Sequence, residues 1–522
     1  MAKSLSIKQI LPLFNQKTKE QLEKWKRKIS KEQKINTPSN SFLLKIYNSL
    51  LKEGRTKKNL ALEKILRKRP IRSLSGVVNI SVLTKPYPCP GQCIFCPQEK
   101  GLPKSYLSKE PAVERAKTLS FSPKRQVEKR IEDLKNCGHN PEKIELRIIG
   151  GTFSYYPKDY QKYFIQKIFE AANQKKSKNL KEAQKINERS KNKIVSLSIE
   201  TRPDYINEKE IKNLRILGVT KVEIGVQTIF DDILSMVERG HSVKETIRTT
   251  KLLKDAGFKV SYQLMPNLPG SDLKRDFLMF LEVFQNQDFK PDYLKIYPLM
   301  LIKNTKLFYL LKKKKISLSL YSEKELKDLI KRVKTITPFW VRIERIVRDF
   351  PLPGSQISNL RQKILQEMKE EKKLCHCLRC REVREQYHPE EKIYLFREDY
   401  FASDGKEIFL SFETKKREKV LSFLKLRIPS FYFQNKKPIF PVLKDSALLR
   451  EIKTLGELTG LQEKKISPQH QGLGRKLIKE AERISKKEFC LKKIAVISGV
   501  GARNYFRKLG FKLSQTYMVK NL

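Results

Sequence analysis

The sequence predicts an α/β protein in which a partial, TIM-like (β/α)6 barrel is joined through a zinc-bound linker to a mixed α+β domain. Three observations predict this architecture. Six apolar, β-branched runs alternate with helical patterns, as in a parallel sheet wound into a barrel. Two clusters of three cysteines follow the first run and the last helix of this region. Beyond about residue 391, apolar runs succeed one another across short turns, which indicates antiparallel pairing.

The length and the charge of the chain indicate the number of domains and the kind of partner. At 522 residues the chain is long enough for three or four domains of about 150 residues. We place them at 1–70, 71–335, 336–390 and 391–522. The 110 Lys and Arg residues against 57 Asp and Glu give a net charge of +53, which favours nucleic acid as a partner over a membrane. Part of this excess is also typical of a lysine-rich proteome.

The start of the chain shows no apolar segment followed by a cleavage site, and no run of eighteen apolar residues occurs. We therefore expect a cytoplasmic protein without a membrane anchor. In that compartment clustered cysteines indicate metal binding, not disulfides. The isolated Cys137 and Cys490 are read as core-filling residues.

Residues 1–70 are basic and have helical periodicity, with apolar residues spaced at 42–51 behind serine capping residues at 39 and 41. Basic runs at 24–28 and 67–69 suit phosphate contacts, so we expect a segment that binds nucleic acid. A solvated basic helix pair is the alternative.

The six barrel strands are predicted at 77–83, 144–149, 194–199, 222–226, 260–264 and 293–297. Polar or turn residues follow each run, so the chemistry is expected at the carboxyl ends of the strands. A further strand is predicted at 340–347, after the barrel. The lysine-rich stretch 174–193 is expected to be mobile and solvated.

The loop after the first strand holds Cys89, Cys93 and Cys96 in a C-x3-C-x2-C pattern. Three such thiolates can hold three irons of a [4Fe–4S] cube and leave the fourth iron open. With Phe95 before the last cysteine, the loop resembles that of the radical S-adenosylmethionine (SAM) superfamily, in which the open iron binds SAM. A zinc site or a disulfide knot is the alternative, but the triplet lacks zinc's usual fourth ligand.

Other strand ends supply candidate SAM-binding residues: Gly150, Gly151 and Thr152 after the second strand, Glu200 at the end of the third, and Gln227 after the fourth. Paired glycines let the backbone approach a ligand closely, although such a pair is often only a turn. Glu200 could bind a ribose hydroxyl or pair with Arg202.

The linker carries a second triplet, Cys375, Cys377 and Cys380. Three thiolates can form three corners of a zinc tetrahedron, with His376, His388 or a residue distant in sequence as the fourth ligand. We expect a structural zinc ion, with free thiols as the alternative.

In the last domain, strands are predicted at 393–397, 408–412, 420–427, 448–455, 494–497 and 511–519, and helices at 469–485 and 503–509. The Q-x-x-G-x-G turn from Gln469 through Gly472 to Gly474 opens the first of these helices, where backbone N–H groups can bind a pyrophosphate. With the Phe506–Phe511 stretch that follows, the domain resembles the acyl-CoA fold of the Gcn5-related acetyltransferases.

A radical SAM barrel joined to an acetyltransferase domain resembles the Elongator catalytic subunit family, the tRNA uridine carboxymethyl synthases. The likeness runs from about residue 68 to the end and rests on the strings at 150–153, 199–205, 223–227, 239–241, 469–472, 495–501 and 517–520. The close spacing of the cluster cysteines resembles prokaryotic members.

The resemblance implies an enzyme with a [4Fe–4S] cluster, SAM, acetyl-CoA and zinc, acting on the anticodon stem-loop of tRNA. A 5′-deoxyadenosyl radical would take hydrogen from the methyl group of acetyl-CoA. The carbon radical would add to C5 of the wobble uridine (U34), and thioester hydrolysis would leave a carboxymethyl group. Tyr505 is a candidate catalytic residue. The oligomeric state stays open, with a homodimer as one option.

The resemblance also implies acetyl-CoA contacts at Lys143, Glu451, Ile452, Lys453, Thr454, Gln469, Gly472, Leu473, Gly474 and Arg475. Related acetyltransferases place a tyrosine where this chain has Phe506. Tyr505 lies beside it, but neighbouring helical residues point about 100° apart. We therefore expect the ring of Phe506 to pack against the bound thioester or the pantetheine arm. A protein-lysine acetyltransferase with a structural iron–sulfur domain, or a tRNA-binding scaffold without activity, is the alternative function.

Overall fold

The structure, a computed structural model, describes residues 11–16, 18–68, 73–348, 359–457, 468–469 and 471–522. Residues 1–10, 17 and 69–70 of the predicted basic segment and His470 of the predicted phosphate turn lie outside these ranges.

The N-terminal module consists of a 3-10 turn (Leu11–Asn15) and helices α1 (Lys19–Gln33), α2 (Asn40–Lys52) and α3 (Leu60–Leu66). Ser39 caps α2, because its side chain accepts a hydrogen bond from the backbone N–H of Phe42. Trp25, Leu43 and Tyr47 belong to a small core shared by the three helices. The neighbouring Lys24, Arg27 and Lys28 are exposed, so the module presents cations outward.

The barrel contains seven parallel strands in sequential order. They are β1 (Val77–Leu83), β2 (Lys143–Ile149), β3 (Lys193–Thr201), β4 (Lys221–Gln227), β5 (Lys259–Leu264), β6 (Tyr293–Ile296) and β7 (Arg342–Ile346). The predicted parallel half-barrel is confirmed. The strand predicted at 340–347 is β7, and it pairs with β6, so it extends the barrel sheet and does not belong to the linker.

Helices connect these strands: α4 (Pro111–Thr118), α5 (Pro123–Asn136), α6 (Lys158–Asn173), α7 (Leu180–Asn187), α8 (Glu208–Leu217), α9 (Asp231–Met236), α10 (Val243–Asp255), α11 (Leu273–Gln285), α12 (Lys306–Lys312) and α13 (Glu323–Thr335). Short 3-10 turns, Phe153–Tyr155 and Pro203–Tyr205, follow β2 and β3. The stretch expected to be mobile contains α7. Asn179 caps this helix, and the Asn187 amide donates to Asn192 O at 3.1 Å.

The linker holds α14 (Leu360–Glu370) and α15 (Leu378–Arg381). The C-terminal domain follows, with strands β8 (Ile393–Ala402), β9 (Gly405–Thr414), β10 (Val420–Ile428), β11 (Ser446–Thr454), β12 (Lys493–Val496), β13 (Lys512–Ser514) and β14 (Tyr517–Asn521). Its helices are α16 (Ser430–Phe433), α17 (Leu473–Lys487) and α18 (Arg503–Arg507), with 3-10 turns at Pro441–Leu443 and Val500–Ala502.

The second sheet has the order β13-β14-β12-β11-β10-β9-β8 and is mixed, since β11 and β12 are parallel while the other neighbours are antiparallel. This confirms the predicted α+β domain. Its inner face packs under the barrel, and residues such as Leu448, Ile497 and Tyr517 belong to the same core as the barrel strands. The two sheets therefore share one continuous interior.

The contact between the domains is close enough to require glycine. A Cβ atom on Gly499 would lie 2.0 Å from the carbonyl oxygen of Val195 in β3, and one on Gly501 would lie 2.6 Å from the Cβ of Lys193. The glycines of the predicted 495–501 string thus let two backbones touch.

Among the helices described, none is long and apolar enough to cross a bilayer.

Candidate active site

An open cavity of about 390 Å³ lies at the carboxyl ends of the barrel strands. Seven of the sequence-predicted site residues line it together: Cys89, Cys93, Cys96, Gly151, Thr152, Glu200 and Gln227. The lining also includes nine cationic side chains against two carboxylates. The cavity is therefore suited to an anionic occupant.

The cysteine loop is held by cations that sequence analysis did not identify. Lys104 Nζ donates to Gly91 O at 2.6 Å, and Arg239 Nη1 donates to Cys93 Sγ at 3.2 Å. Arg202 Nη1 would lie 2.1 Å from a Cβ atom on Gly91. That nitrogen is buried and has no hydrogen-bond partner within the described ranges. The Arg239-Gly240-His241 string was the signal that could have found one of these residues.

The thiols fit a cluster better than a single zinc ion. Zinc holds its sulfur ligands about 2.3 Å away, so three ligating sulfurs must lie within about 4 Å of one another. In the part of the chain described, only the linker triplet has all its ligand atoms within 4.8 Å. The Cys89 triplet is more widely spaced, as separate corners of a cube require. Burial, followed by the neighbouring Cys93 thiol, raises the pKa of Cys96 to about 12. The arginines and Lys104 would therefore help thiolates to form.

The two predicted glycines have different surroundings. Gly150 has φ +134°, and a Cβ atom there would lie 1.9 Å from Thr84 Oγ1, so this glycine allows β1 and β2 to approach. Gly151 lines the cavity, with nothing closer to its Cβ position than Lys104 O at 3.7 Å. Of the pair, Gly151 is thus the one exposed to a ligand.

Glu200 does not pair with Arg202, which instead donates to Asp204 at 2.8 Å. The Glu200 carboxylate accepts a hydrogen bond from the Tyr106 hydroxyl at 2.6 Å, and Lys295 Nζ lies 3.6 Å away. The sequence allowed two roles for Glu200, and the pairing with Arg202 is not seen. The carboxylate lies at the cavity wall, where it can accept a hydrogen bond from a ligand hydroxyl.

Below the cavity the barrel is filled with charged side chains. Glu223 contacts Arg147 at 3.0 Å and also pairs with Lys295, while Lys221 Nζ lies 2.6 Å from Glu344. Burial alone would raise the pKa of Glu223, but Arg147, Lys295 and Lys221 outweigh it and hold the pKa well below its usual range. The centre of the barrel is therefore a network of compensated charges, unlike the apolar layers that usually fill such barrels.

The second predicted site lies where β11 and β12 separate. These strands pair only from Ser446 to Leu449, opposite Lys493 to Val496. Beyond Leu449, the same edge of β11 has no strand partner among the described residues. A free strand edge offers backbone donors and acceptors to an extended ligand such as the pantetheine arm of coenzyme A.

The four predicted acetyl-CoA residues of β11 point in two directions. Ile452 Cδ1 and Thr454 Oγ1 lie 3.7 and 3.6 Å from the Cβ position of Gly474, at the start of α17. The side chains of Glu451 and Lys453 face the barrel instead. Glu451 accepts from the Tyr293 hydroxyl and lies 3.4 Å from Lys453. Their side chains thus belong to the domain interface.

The predicted phosphate turn precedes α17. Gly472 has φ +72° and no atom within 4 Å of its Cβ position, and Arg475 is exposed. Leu473 is buried and packs into a core cluster. The Gln469 amide donates to Ser75 O at 3.0 Å, so this predicted ligand residue also ties the turn to the segment just before β1.

The two neighbouring aromatic residues of α18 face different surroundings. The Tyr505 hydroxyl lies 3.1 Å from the Cβ position of Gly474, beside Thr454 and the free edge. Phe506 is buried, and its ring contacts Phe511 at 5.7 Å in the core of the domain. The ring of Phe506 thus faces the core of the domain, and its contact with a bound thioester stays a prediction. Burial raises the pKa of Tyr505.

Lys143 begins β2 at the end of the barrel that faces the C-terminal domain, and it is exposed. It shares a strand face with Glu145, whose carboxylate lies 3.6 Å from Lys453 Nζ. The residue is therefore on the side of the barrel where β11 approaches.

The linker cysteines converge with a lysine. The Sγ atoms of Cys375, Cys377 and Cys380 lie within 4.8 Å of one another, and Lys334 Nζ donates to Cys375 Sγ at 3.2 Å and to Cys380 Sγ at 3.4 Å. Neither proposed histidine joins this group within the described ranges. The ring of His376 packs on Phe339 at 4.8 Å, and His388 is exposed.

Comparison with known proteins agrees with this geometry. The model of the Radical SAM superfamily matches residues 87–281, and that of the Radical_SAM C-terminal domain matches residues 291–371. The chain is 45% identical to a tRNA uridine(34) acetyltransferase of Methanocaldococcus infernus over 94% of this chain and 92% of that protein. It is 38% identical to Elongator complex protein 3 of Homo sapiens over 88% of this chain and 86% of the human protein.

A solved structure of the archaeal Methanocaldococcus infernus Elp3, with an N-terminal deletion of residues 1–46, superposes with a TM-score of 0.75 at 43% identity. The match covers 86% of this chain and 100% of that chain. The resemblance drawn from the sequence strings is thus confirmed at the level of both domains. The chain belongs to the radical SAM family that includes the tRNA uridine(34) acetyltransferases and Elongator complex protein 3.

Proposed function

We propose that this chain is an enzyme that modifies the wobble uridine of tRNA, and that it places a carboxymethyl group on C5 of that base. The observation that carries the proposal is that two candidate sites lie on two domains that share one continuous core. One is the cationic cavity with three cysteines, and the other is the free edge of β11 beside the turn of α17. Relatives named tRNA uridine(34) acetyltransferase support the choice of substrate.

In this proposal Cys89, Cys93 and Cys96 hold a [4Fe–4S] cluster, and Arg202 and Arg239 offset its negative charge. Gly151 and Glu200 are placed to bind SAM, Glu200 through a ribose hydroxyl. The cluster and SAM supply the radical chemistry that activates an unreactive C–H bond. The protein positions the reactants and excludes water.

Acetyl-CoA is assigned to the second site. The backbone at Gly472 and Gly474, with exposed Arg475, would bind the pyrophosphate, because a helix N-terminus attracts anions. The free edge of β11 at Ile452 and Thr454 would hold the pantetheine arm. A phenol is protonated at neutral pH because its ordinary pKa is about 10, and burial raises the pKa of Tyr505 further, so Tyr505 would have a proton to donate to the departing CoA thiolate.

We further propose that Cys375, Cys377 and Cys380 hold a structural zinc ion. Lys334 belongs to α13 of the barrel, and Arg381, next to the triplet, pairs with Glu413 in β9. A metal here would fix the linker between the two domains, and its binding free energy would add to folding. The ammonium of Lys334 would offset the charge of the thiolates.

The test is mass spectrometry of tRNA uridines after incubation with enzyme, SAM, acetyl-CoA and a reductant. Carboxymethyluridine is expected at position 34 with the wild type and not with Cys93→Ser. Lysine acetylation that persists in Cys89→Ala, with no uridine product from the wild type, would contradict the proposal and favour a protein acetyltransferase.

A further inference from the structure

A row of five tyrosine rings extends outward from the rim of the cysteine-lined cavity. Centroids lie 5.2 Å apart between Tyr205 and Tyr155, 5.9 Å between Tyr155 and Tyr87, 4.8 Å between Tyr87 and Tyr156, and 5.1 Å between Tyr156 and Tyr160. Three separate segments of the chain supply these rings. The tyrosine row, as we call these five residues, is thus a product of the fold and not of one helix.

The row begins at the mouth of the cavity. Tyr87 precedes Cys89 by two residues, and Tyr155 lies in the turn that follows Thr152. Cys89 and Thr152 both line the cavity. Tyr205 ends the 3-10 turn that follows β3, at the same end of the barrel. A molecule whose reactive group enters the cavity can therefore contact these rings.

Two of the five rings, Tyr156 and Tyr160, are fixed by hydrogen bonds. The Tyr156 hydroxyl donates to Lys85 O at 2.8 Å and also contacts the Thr84 hydroxyl at 2.8 Å, and the Tyr160 hydroxyl accepts from Lys85 N at 3.1 Å. Tyr156 is buried and supports the row from behind, whereas Tyr155 is 38% exposed. Rigid aromatic surfaces lose little conformational entropy when a ligand stacks on them.

The charge around the row selects the kind of ligand. Lys85 is exposed, and its ammonium lies 4.9 Å from the ring centroid of Tyr160. The adjoining cavity is lined by nine cations and two carboxylates, and the chain carries +53. Aromatic rings beside cations are typical of surfaces that bind single-stranded nucleic acid, in which unpaired bases stack and phosphates pair with lysine.

We propose that the tyrosine row is a stacking surface for unpaired bases of the RNA substrate, next to the base that enters the cavity. This inference rests on the proposed function and extends it to residues outside the cofactor sites. Stacked neighbours would hold the loop open and keep the target base over the cavity. Paired RNA has no free base faces, so a duplex would gain nothing from the row.

The test compares binding of an anticodon stem-loop RNA and a blunt RNA duplex of equal length by fluorescence anisotropy. We expect Tyr155→Ala and Tyr205→Ala each to weaken stem-loop binding by about 5- to 150-fold, the range for losing one stacked base. Duplex binding should stay unchanged. Tyr155→Phe should keep wild-type affinity, since the ring remains. Tyr394→Ala is the matched control, because this tyrosine is 41% exposed in the other domain.

Salt dependence adds a second readout. The tyrosine variants should keep the wild-type slope of log affinity against log salt, whereas Lys85→Ala should reduce it by about 0.7, one phosphate contact of a single strand. If both alanine variants bound the stem-loop within twofold of the wild-type affinity, the proposed stacking role of the tyrosine row would be contradicted. An equal loss of affinity for the stem-loop and the duplex would also contradict the proposal. So would wild-type stem-loop affinity in Tyr155→Leu, which lacks the aromatic ring. A wild type that binds neither RNA would instead refute the proposed function.

Discussion

Replacing Asp292 by asparagine tests whether the domain interface depends on compensated charge. The Asp292 carboxylate is fully buried between β5 and β6, where it pairs with Arg450 of β11 and lies 3.3 Å from Lys425 Nζ. It also accepts the backbone N–H of Val260 at 2.8 Å. The substitution keeps the shape but leaves two buried cations with one carboxylate fewer. Breaking such a buried pair costs about 3–5 kcal/mol.

The two tryptophans allow this loss to be followed at the interface. Trp340, just before β7, stacks on Tyr400 of β8 at 3.9 Å between the barrel and the C-terminal domain, while Trp25 lies in the N-terminal module. In a Trp25→Phe background, urea unfolding monitored by Trp340 fluorescence should show Asp292→Asn lowering the free energy of unfolding by about 3–5 kcal/mol.

The control is Asp399→Asn, whose partners Arg397 and Lys406 are partly exposed, and it should cost less than about 1 kcal/mol. Adding Arg450→Met to Asp292→Asn should recover part of the loss, because it removes a buried cation that keeps only Glu407 as its partner. Equal effects of Asp292→Asn and the control, with no recovery in the double variant, would refute the reasoning.

Four further outcomes are expected. Gly91→Ala should lower iron content and the absorbance of the purified cluster, because the added Cβ would lie 2.1 Å from Arg202 Nη1; normal iron content would show that the arginine moves aside freely. Tyr505→Phe should slow release of free CoA from acetyl-CoA by about 10²–10⁴-fold while SAM cleavage continues; parallel loss of both would exclude a proton-donor role. Cys377→Ser should abolish bound zinc, measured by elemental analysis, and lower the melting temperature, whereas a wild type with iron alone would refute the zinc site. Burial raises the pKa of Glu451, but Lys453 and Lys425 outweigh it and lower the pKa to about 2. Because the unfolded value is about 4.3, this contribution of about 3 kcal/mol is present above that pH and is lost as pH falls toward 2. Glu451→Gln should remove this part of the pH dependence of the urea unfolding midpoint, measured by Trp340 fluorescence. The same pH dependence in the variant and the wild type would argue against this contribution.

Strand positions could be predicted because barrel strands have apolar outer faces and end in polar turns. The cavity followed from the same pattern, since Cys89, Thr152 and Glu200 all lie at carboxyl ends. The membership of β7 in the sheet could not be predicted in this way. Its sequence indicates a strand, but only hydrogen bonding to β6 decides which sheet it joins.

The remaining site residues depend on contacts between distant segments. Helical geometry showed that Tyr505 and Phe506 diverge, but which ring faces the free edge of β11 depends on how α18 packs on Phe511. Lys334 lies 41 residues before Cys375 in a helix with ordinary periodicity, so no local pattern connects it with the thiols. The same holds for Arg239, which reaches Cys93 across 146 residues.

The shared interior of the two sheets also limits how this chain could be divided. A cut near residue 390 would expose Leu448, Ile497 and Tyr517 to water and would strip Arg450 of its partner Asp292. Exposed apolar surface and orphaned charges favour aggregation over independent folding. We therefore expect gene fission at this junction to yield two insoluble fragments. The cysteine-lined cavity and the free edge of β11 would then depend on each other for folding, although they lie in different domains.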